Sequence, residues 1–270
     1  MTAPVRLSVG GVPVATYAVE PIVGPRHGPR PYLHPVRTLG GIPVTDTMPE
    51  DHPWHLGVSV AMPDVNGTNL WGGRTYVRDR GYTWREDHGR IEHAAWLSGV
   101  AAGSFAERLE WRDRDGRLLL TEERTVVARA AARGWELDFG YALTAPPGHD
   151  VTLGSPATNG RPGGAGYGGF FWRAAPGPAT TFTAAHDSEE TVNGSAEPWV
   201  ALTGPGPYTL VFRGLAGRDR WFVRTGIYPG VCAALAFTDP LPVPAGTSLD
   251  RRLTVLVADG TLTRAEIEAG

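Results

Sequence analysis

Lysine is missing altogether, and all 25 basic residues are arginine. Schiff-base catalysis and a phosphate-loop lysine are both excluded by that absence. Cysteine is nearly absent too. With Cys232 alone, the chain has no internal disulfide, no cysteine-based zinc site and no cysteine-held iron–sulfur cluster. Its place in the apolar run 231–237 predicts a buried strand residue. No stretch approaches the roughly 20 apolar residues with which a helix crosses a bilayer. The opening Met1-Thr-Ala-Pro-Val-Arg6 lacks the basic start and apolar run of a signal peptide, so a cytoplasmic protein is expected. Positive charge is not in excess either. A net charge of −3 argues against a nucleic-acid footprint.

What the sequence does have is apolar mass and many chain reversals. Its 270 residues are 41% hydrophobic and include nine tryptophans, enough for a core that needs no covalent staple. The 36 glycines and 24 prolines are spread along the chain rather than clustered, as expected of many turns between short strands. Neither a repeat, a charge block nor a linker interrupts the sequence, so a single domain over 1–270 is expected.

Short β-type runs recur, among them 5–9, 12–19, 57–62, 118–128, 135–145, 208–212 and 231–237. Trp135-Glu-Leu-Asp-Phe-Gly-Tyr141 alternates apolar and polar residues, the pattern of a half-buried strand. Asp115-Gly116 between two such runs predicts a hairpin with a type I′ turn. Only the tail carries a helix signature, a capping box with Thr263 as N-cap and Glu266 three residues on. The fold class is therefore all-β, an antiparallel β-sandwich or super-sandwich of the galactose-mutarotase-like kind, with one short C-terminal helix. Long strands such as 117–131 offer an edge on which a homodimer could pair.

Chemistry-bearing side chains concentrate between positions 30 and 71. Tyr32, His34 and Arg37 come first, then Asp51, His52 and His55, then Asp64, Asn66 and Trp71. Prolines at 31, 35, 43, 49, 53 and 63 stiffen this stretch by fixing φ. A rigid run of imidazole, carboxylate and guanidinium suits a preorganised site, and imidazole exchanges protons near neutral pH. Histidines beside prolines can also be satisfied by main-chain carbonyls in tight turns, and tryptophans such as Trp54 and Trp71 are commonly core residues.

A glycine-rich stretch, 155–173, is the second constellation. Asn159, Arg161, Tyr167 and Arg173 offer donors suited to hydroxyls or a carboxylate. No helix follows it, so it is not a dinucleotide loop; a glycine-rich turn at the rim of a sandwich is the competing reading. Glu197, beside Trp199, is a candidate base whose pKa an aromatic neighbour could raise. His88, His93 and His186 stand among charged residues, as on a solvated surface.

Arg30-Pro-Tyr, His34-Pro-Val-Arg, Pro43-Val-Thr, Asp51-His-Pro-Trp-His and Asp64-Val-Asn-Gly together resemble the signature of the soluble PmoA-like proteins, often labelled "methane oxygenase PmoA". Gly166-Tyr-Gly-Gly-Phe-Phe-Trp-Arg and Gly194-Ser-Ala-Glu-Pro-Trp fit the same resemblance, which covers most of the chain. It implies a carbohydrate context, because such proteins tend to accompany sugar oxidoreductases and glycoside-processing proteins.

Three functions follow as expectations. The first is a carbohydrate-processing enzyme, an epimerase, mutarotase-like enzyme or lyase acting on a sugar, glycoside or oxidised sugar. There His52 or His55 would move the proton, Asp51 or Glu197 would orient it or take the opposing proton, and Arg37 would stabilise developing negative charge. Trp71 and Tyr167 would stack on the sugar, with Tyr32, His34, Asp64, Asn66, Asn159, Arg161 and Arg173 as further binding groups. The second is a metal-dependent oxygenase or hydrolase in which His34, His52 and His55 hold zinc, copper or iron. The third is a non-catalytic sugar-binding module.

Overall fold

Glu122, Arg124, Val126 and Ala128 turn inward along one long strand while Glu123, Thr125, Val127 and Arg129 face out, and this period of two recurs through the chain. The computed structural model describes residues 2–269. Its larger sheet has eight strands in the order β14 (Thr180–Phe182), β15 (Trp199–Gly204), β16 (Tyr208–Arg213), β20 (Ser248–Asp259), β11 (Gly134–Thr144), β10 (Leu118–Ala131), β9 (Ser104–Arg112) and β8 (Arg90–Trp96). A seven-stranded sheet runs β1 (Val5–Val9), β2 (Val12–Ala18), β3 (Tyr32–Val36), β4 (Val58–Ala61), β13 (Gly169–Arg173), β18 (Gly230–Ala234) and β17 (Arg220–Arg224). Three short strands, β19 (Leu241–Val243), β12 (Val151–Gly154) and β5 (Asp64–Val65), form a third sheet. A small hairpin joins β6 (Thr75–Val77) to β7 (Gly81–Thr83). The strand pairs are antiparallel.

The two large sheets pack face to face, with Phe139 of β11 on Phe170 of β13 and Trp172 of β13 on Phe212 of β16. The all-β antiparallel architecture is thus as the alternation predicted. The C-terminal helix α2 (Arg264–Glu268) has its capping box, Thr263 accepting from the Glu266 amide while Glu266 reaches back. A second short helix, α1 (Glu189–Val192), was not foreseen; Ser188 caps it.

Two expectations change. The β9–β10 hairpin forms, but its turn is not type I′: of the turn residues only Gly116 has positive φ, at 87°. The Asp113 carboxylate instead accepts from the amides of Asp115 and Arg117 and shapes the reversal. Strand β10 lies between β9 and β11, so the long strand offers no free edge for a homodimer.

Strand β13 explains where the site sits. Phe170 and Trp172 enter the inter-sheet core, while Phe171 joins Ala61, Trp71, Phe222, Cys232 and Ala234 in a separate apolar cluster. That cluster lies on the outer face of the seven-stranded sheet, where loops cover it. Cys232 is buried there, as expected, and burial pushes its thiol up to about 12, which leaves it inert at neutral pH.

Candidate active site

Strand register sets the floor. Ser59, Phe171, Cys232 and Phe222 lie side by side across β4, β13, β18 and β17. Two residues along, Arg173, Gly230 and Arg224 form the next row on this face. Above this floor, loops from 45–57, 66–74 and 155–168 and the β6–β7 hairpin enclose a hollow of about 580 Å³. That lies within the roughly 300–1,000 Å³ span of small-molecule sites.

Arg30 pins two of those loops. Wholly buried, it donates from Nε to Ser59 Oγ at 3.0 Å and from Nη1 to the carbonyls of Gly28 and Trp71 at 2.8 and 2.9 Å. Nη2 donates to the Trp54 carbonyl at 3.0 Å. Burial, aided by Arg124, pushes its pKa down to about 9, so it stays cationic at neutral pH. Gly73 lets the loop close: its φ is 73°, and a Cβ there would stand 2.5 Å from the Trp54 ring.

Asp51, His52 and His55 meet at the mouth. His52 Nδ1 lies 2.7 Å from Asp51 Oδ2. Burial alone would raise the Asp51 carboxyl, but the hydrogen bond and charge of His52 and the charge of Arg173 outweigh it and hold its pKa below the ordinary value. An ionised carboxylate only accepts, so His52 Nδ1 carries a proton, and in the neutral ring the lone pair is on Nε2. His52 and His55 are stacked with ring centres 4.7 Å apart. His55 is 2% exposed, and burial first, then the charges of His52, Arg173 and Arg30, drives its pKa well below the usual value. Arg173 Nη1 is 3.4 Å from His55 Nδ1. A guanidinium only donates, so His55 carries its proton on Nε2. The two rings thus hold opposite tautomers.

Aromatic faces make the walls. Tyr228 packs against both imidazoles, at 5.0 Å from His52 and 4.8 Å from His55. Trp71 lies 5.9 Å from His55 and 4.7 Å from Tyr167. The Tyr82 and Tyr167 hydroxyls are 3.0 Å apart, and Arg161 donates to Tyr82. Trp84, 44% exposed, forms the outer lip against Trp54. Arg74, Arg161 and Arg224 also line the hollow, opposite in charge to Glu50 and Asp51.

Of the residues expected from sequence, Asp51, His52, His55, Trp71, Arg161 and Tyr167 converge on this hollow, and Arg173 supports it from behind His55. The others do not. His34 faces Thr45, its Nδ1 3.0 Å from Oγ1, and lines no part of the hollow. Arg37 is exposed and bonds the Gly41 carbonyl, so it stabilises no charge in the hollow. Tyr32 remains on β3, outside the lining. Glu197 contributes a main-chain carbonyl to the Trp221 indole and lines no part of the hollow. Asp64 and Asn159 bond each other at 2.9 Å beside a second, shallower depression. Asn66 ties two loops through Asp150 and Thr152.

The metal set is corrected by the same geometry. His34 does not join His52 and His55, and among the described residues no three histidine, cysteine or acidic groups are arranged to hold a metal ion. Sequence reading missed Arg74, Tyr82, Trp84, Phe222, Arg224 and Tyr228. For Phe222 and Arg224 the alternation of Arg220–Arg224 carried the signal, since Trp221 and Val223 take the core side.

A family model matches residues 4–270, and the chain belongs to that family, a family of unknown function (DUF6807). This overturns the resemblance to soluble PmoA-like proteins, to which no comparison points. No curated protein matches the chain. Among solved structures, a candidate aldose 1-epimerase from Escherichia coli K12 is similar over 95% of this chain and 99% of that one, at 10% identity and a TM-score of 0.39. That superposition is too loose to carry over a residue or an activity. No helix among the described residues is long and apolar enough to cross a membrane.

Proposed function

We propose that the protein is a sugar-processing enzyme in which His52, oriented by Asp51, moves a proton on a bound pyranose. The observation that carries this reading is the Asp51–His52 pair, 2.7 Å apart, at the mouth of an aromatic-walled hollow. Flat apolar faces such as Trp84 and Tyr228 suit the C–H face of a sugar ring, and the polar groups between them suit its hydroxyls.

In a mutarotase-like reaction His52 Nε2 takes the proton of the anomeric hydroxyl. The electron pair of that O–H bond forms the carbonyl as the bond from the anomeric carbon to the ring oxygen breaks. The imidazolium, steadied by Asp51, returns the proton to the ring oxygen. His55, neutral and protonated on Nε2, is a hydrogen-bond donor to the reacting oxygen rather than a proton source. Closure onto the other face of the carbonyl completes the exchange.

Magnetisation-transfer NMR on a panel of reducing pyranoses tests the reading. Anomer exchange faster than in buffer is expected for at least one sugar. Replacing His52 by alanine should lower the catalysed rate by about 10²–10⁴-fold. Binding without turnover, with His52→Ala indistinguishable from wild type, would identify a sugar-binding module instead. Exchange at the buffer rate for every sugar, without binding, would remove the proposal.

A further inference from the structure

We propose that the sugar is anionic, bearing a carboxylate or phosphate that Arg74 and Arg161 hold. This rests on the sugar reading above and names the class of sugar. Some of the charges around the hollow are already engaged. Asp51 is engaged by His52, and Arg224 by Glu189 at 3.7 Å and by the Val223 carbonyl at 2.7 Å. Arg74 differs: its guanidinium lies 5.8 Å from the Trp84 ring centre and, among the described residues, has no hydrogen bond or ion pair. Arg161 donates to the Tyr82 hydroxyl, its guanidinium 4.8 Å from the centre of that ring, and no carboxylate lies within ion-pair distance of it.

Both guanidiniums therefore keep donors for a ligand, from five N–H groups each. Backbone pairing puts them on one side. Thr75 is opposite Thr83 in the β6–β7 hairpin, so Arg74 and Trp84 flank its base, while Tyr82, inside the hairpin, carries Arg161. Arg30 and Arg173 behind the floor add positive field without reaching the ligand. An oxyanion is the group that a planar fork of donors fits, and charge-assisted hydrogen bonds to it are about twice as strong as neutral ones.

Titration of tryptophan fluorescence with matched sets at constant ionic strength tests the inference. Each set comprises a neutral aldopyranose, its uronate and its 6-phosphate, in the gluco, galacto and manno series. In at least one series an anionic member should bind tenfold or more tightly than the neutral sugar, and the better of the two anions identifies the group. In Arg161→Gln and in Arg74→Gln that advantage should fall below threefold. Arg74 is exposed, so its variant keeps the test open should Arg161→Gln fail to fold. Neutral sugars binding as tightly as the anions would overturn the inference and leave the sugar reading standing. An anion preference that persists in both variants would overturn the arginine assignment. Binding by no sugar of any kind would overturn both readings.

Discussion

The guanidinium of Arg30 donates to the main-chain carbonyl of Trp71 at 2.9 Å inside the protein, with no carboxylate beside it. The same group reaches the carbonyls of Gly28 and Trp54, so one buried cation sets the positions of two of the tryptophans that wall the hollow. Arg30→Met keeps the apolar stem and strands those acceptors. An unsatisfied buried acceptor costs about 1–3 kcal/mol, so a loss of roughly 3–5 kcal/mol is expected. At about 2–4 °C per kcal/mol, calorimetry should find Tm lower by roughly 10 °C. A drop of a degree or two would show that Arg30 is not the pin.

Gly73 and Gly67 provide a matched pair. Both have positive φ, 73° and 85°, but an added Cβ meets the Trp54 ring at Gly73 and nothing within 4 Å at Gly67. Gly67→Ala should cost only the left-handed backbone penalty, about 1 kcal/mol. Gly73→Ala should cost about twice that or more, shift tryptophan emission and weaken sugar binding as Trp54 is displaced. Equal losses in urea titrations of the two variants would refute the steric account.

The alternation of strands and the capping box at Thr263 were legible because they are local, period-two and three-residue signals. Part of the site was legible as well: Asp51, His52 and His55 stay together because a tight turn, with the His55 amide bonded to the His52 carbonyl at 2.9 Å, keeps them so. His34 and Arg37 belong to the same polar stretch yet stay outside the hollow, since His34 bonds Thr45 from β3 and Arg37 sits in a bridge to Pro43. Tyr82 and Trp84 come from the β6–β7 hairpin and its base, and Tyr228 from the turn between β17 and β18. Only the packing of loops over the outer face of the sheet brings them to the imidazoles, and no spacing in the sequence encodes that. The turn at Gly116 was misread for a related reason, because the Asp113 side chain chose its shape.

Acid should weaken the fold through His55. Its folded pKa lies well below that of the unfolded ring, about 6.5, so the folded state binds fewer protons between those two values. The stabilisation is fully present above about pH 6.5 and is lost as pH falls toward the folded value. His34, whose pKa burial also lowers, adds a smaller loss of the same sign. Urea midpoints between pH 7.5 and 4.5 should fall for the wild type and fall less steeply for His55→Gln. Parallel slopes would mean that His55 is not held neutral by burial.

Two-bond proton–nitrogen NMR on histidine-labelled protein near neutral pH reads the tautomers on which the chemistry depends. The account predicts His52 protonated on Nδ1 and His55 on Nε2, with the His52 Nε2 signal shifting most when a sugar binds. His52 protonated on Nε2, or a His52 signal that no ligand moves, would contradict it.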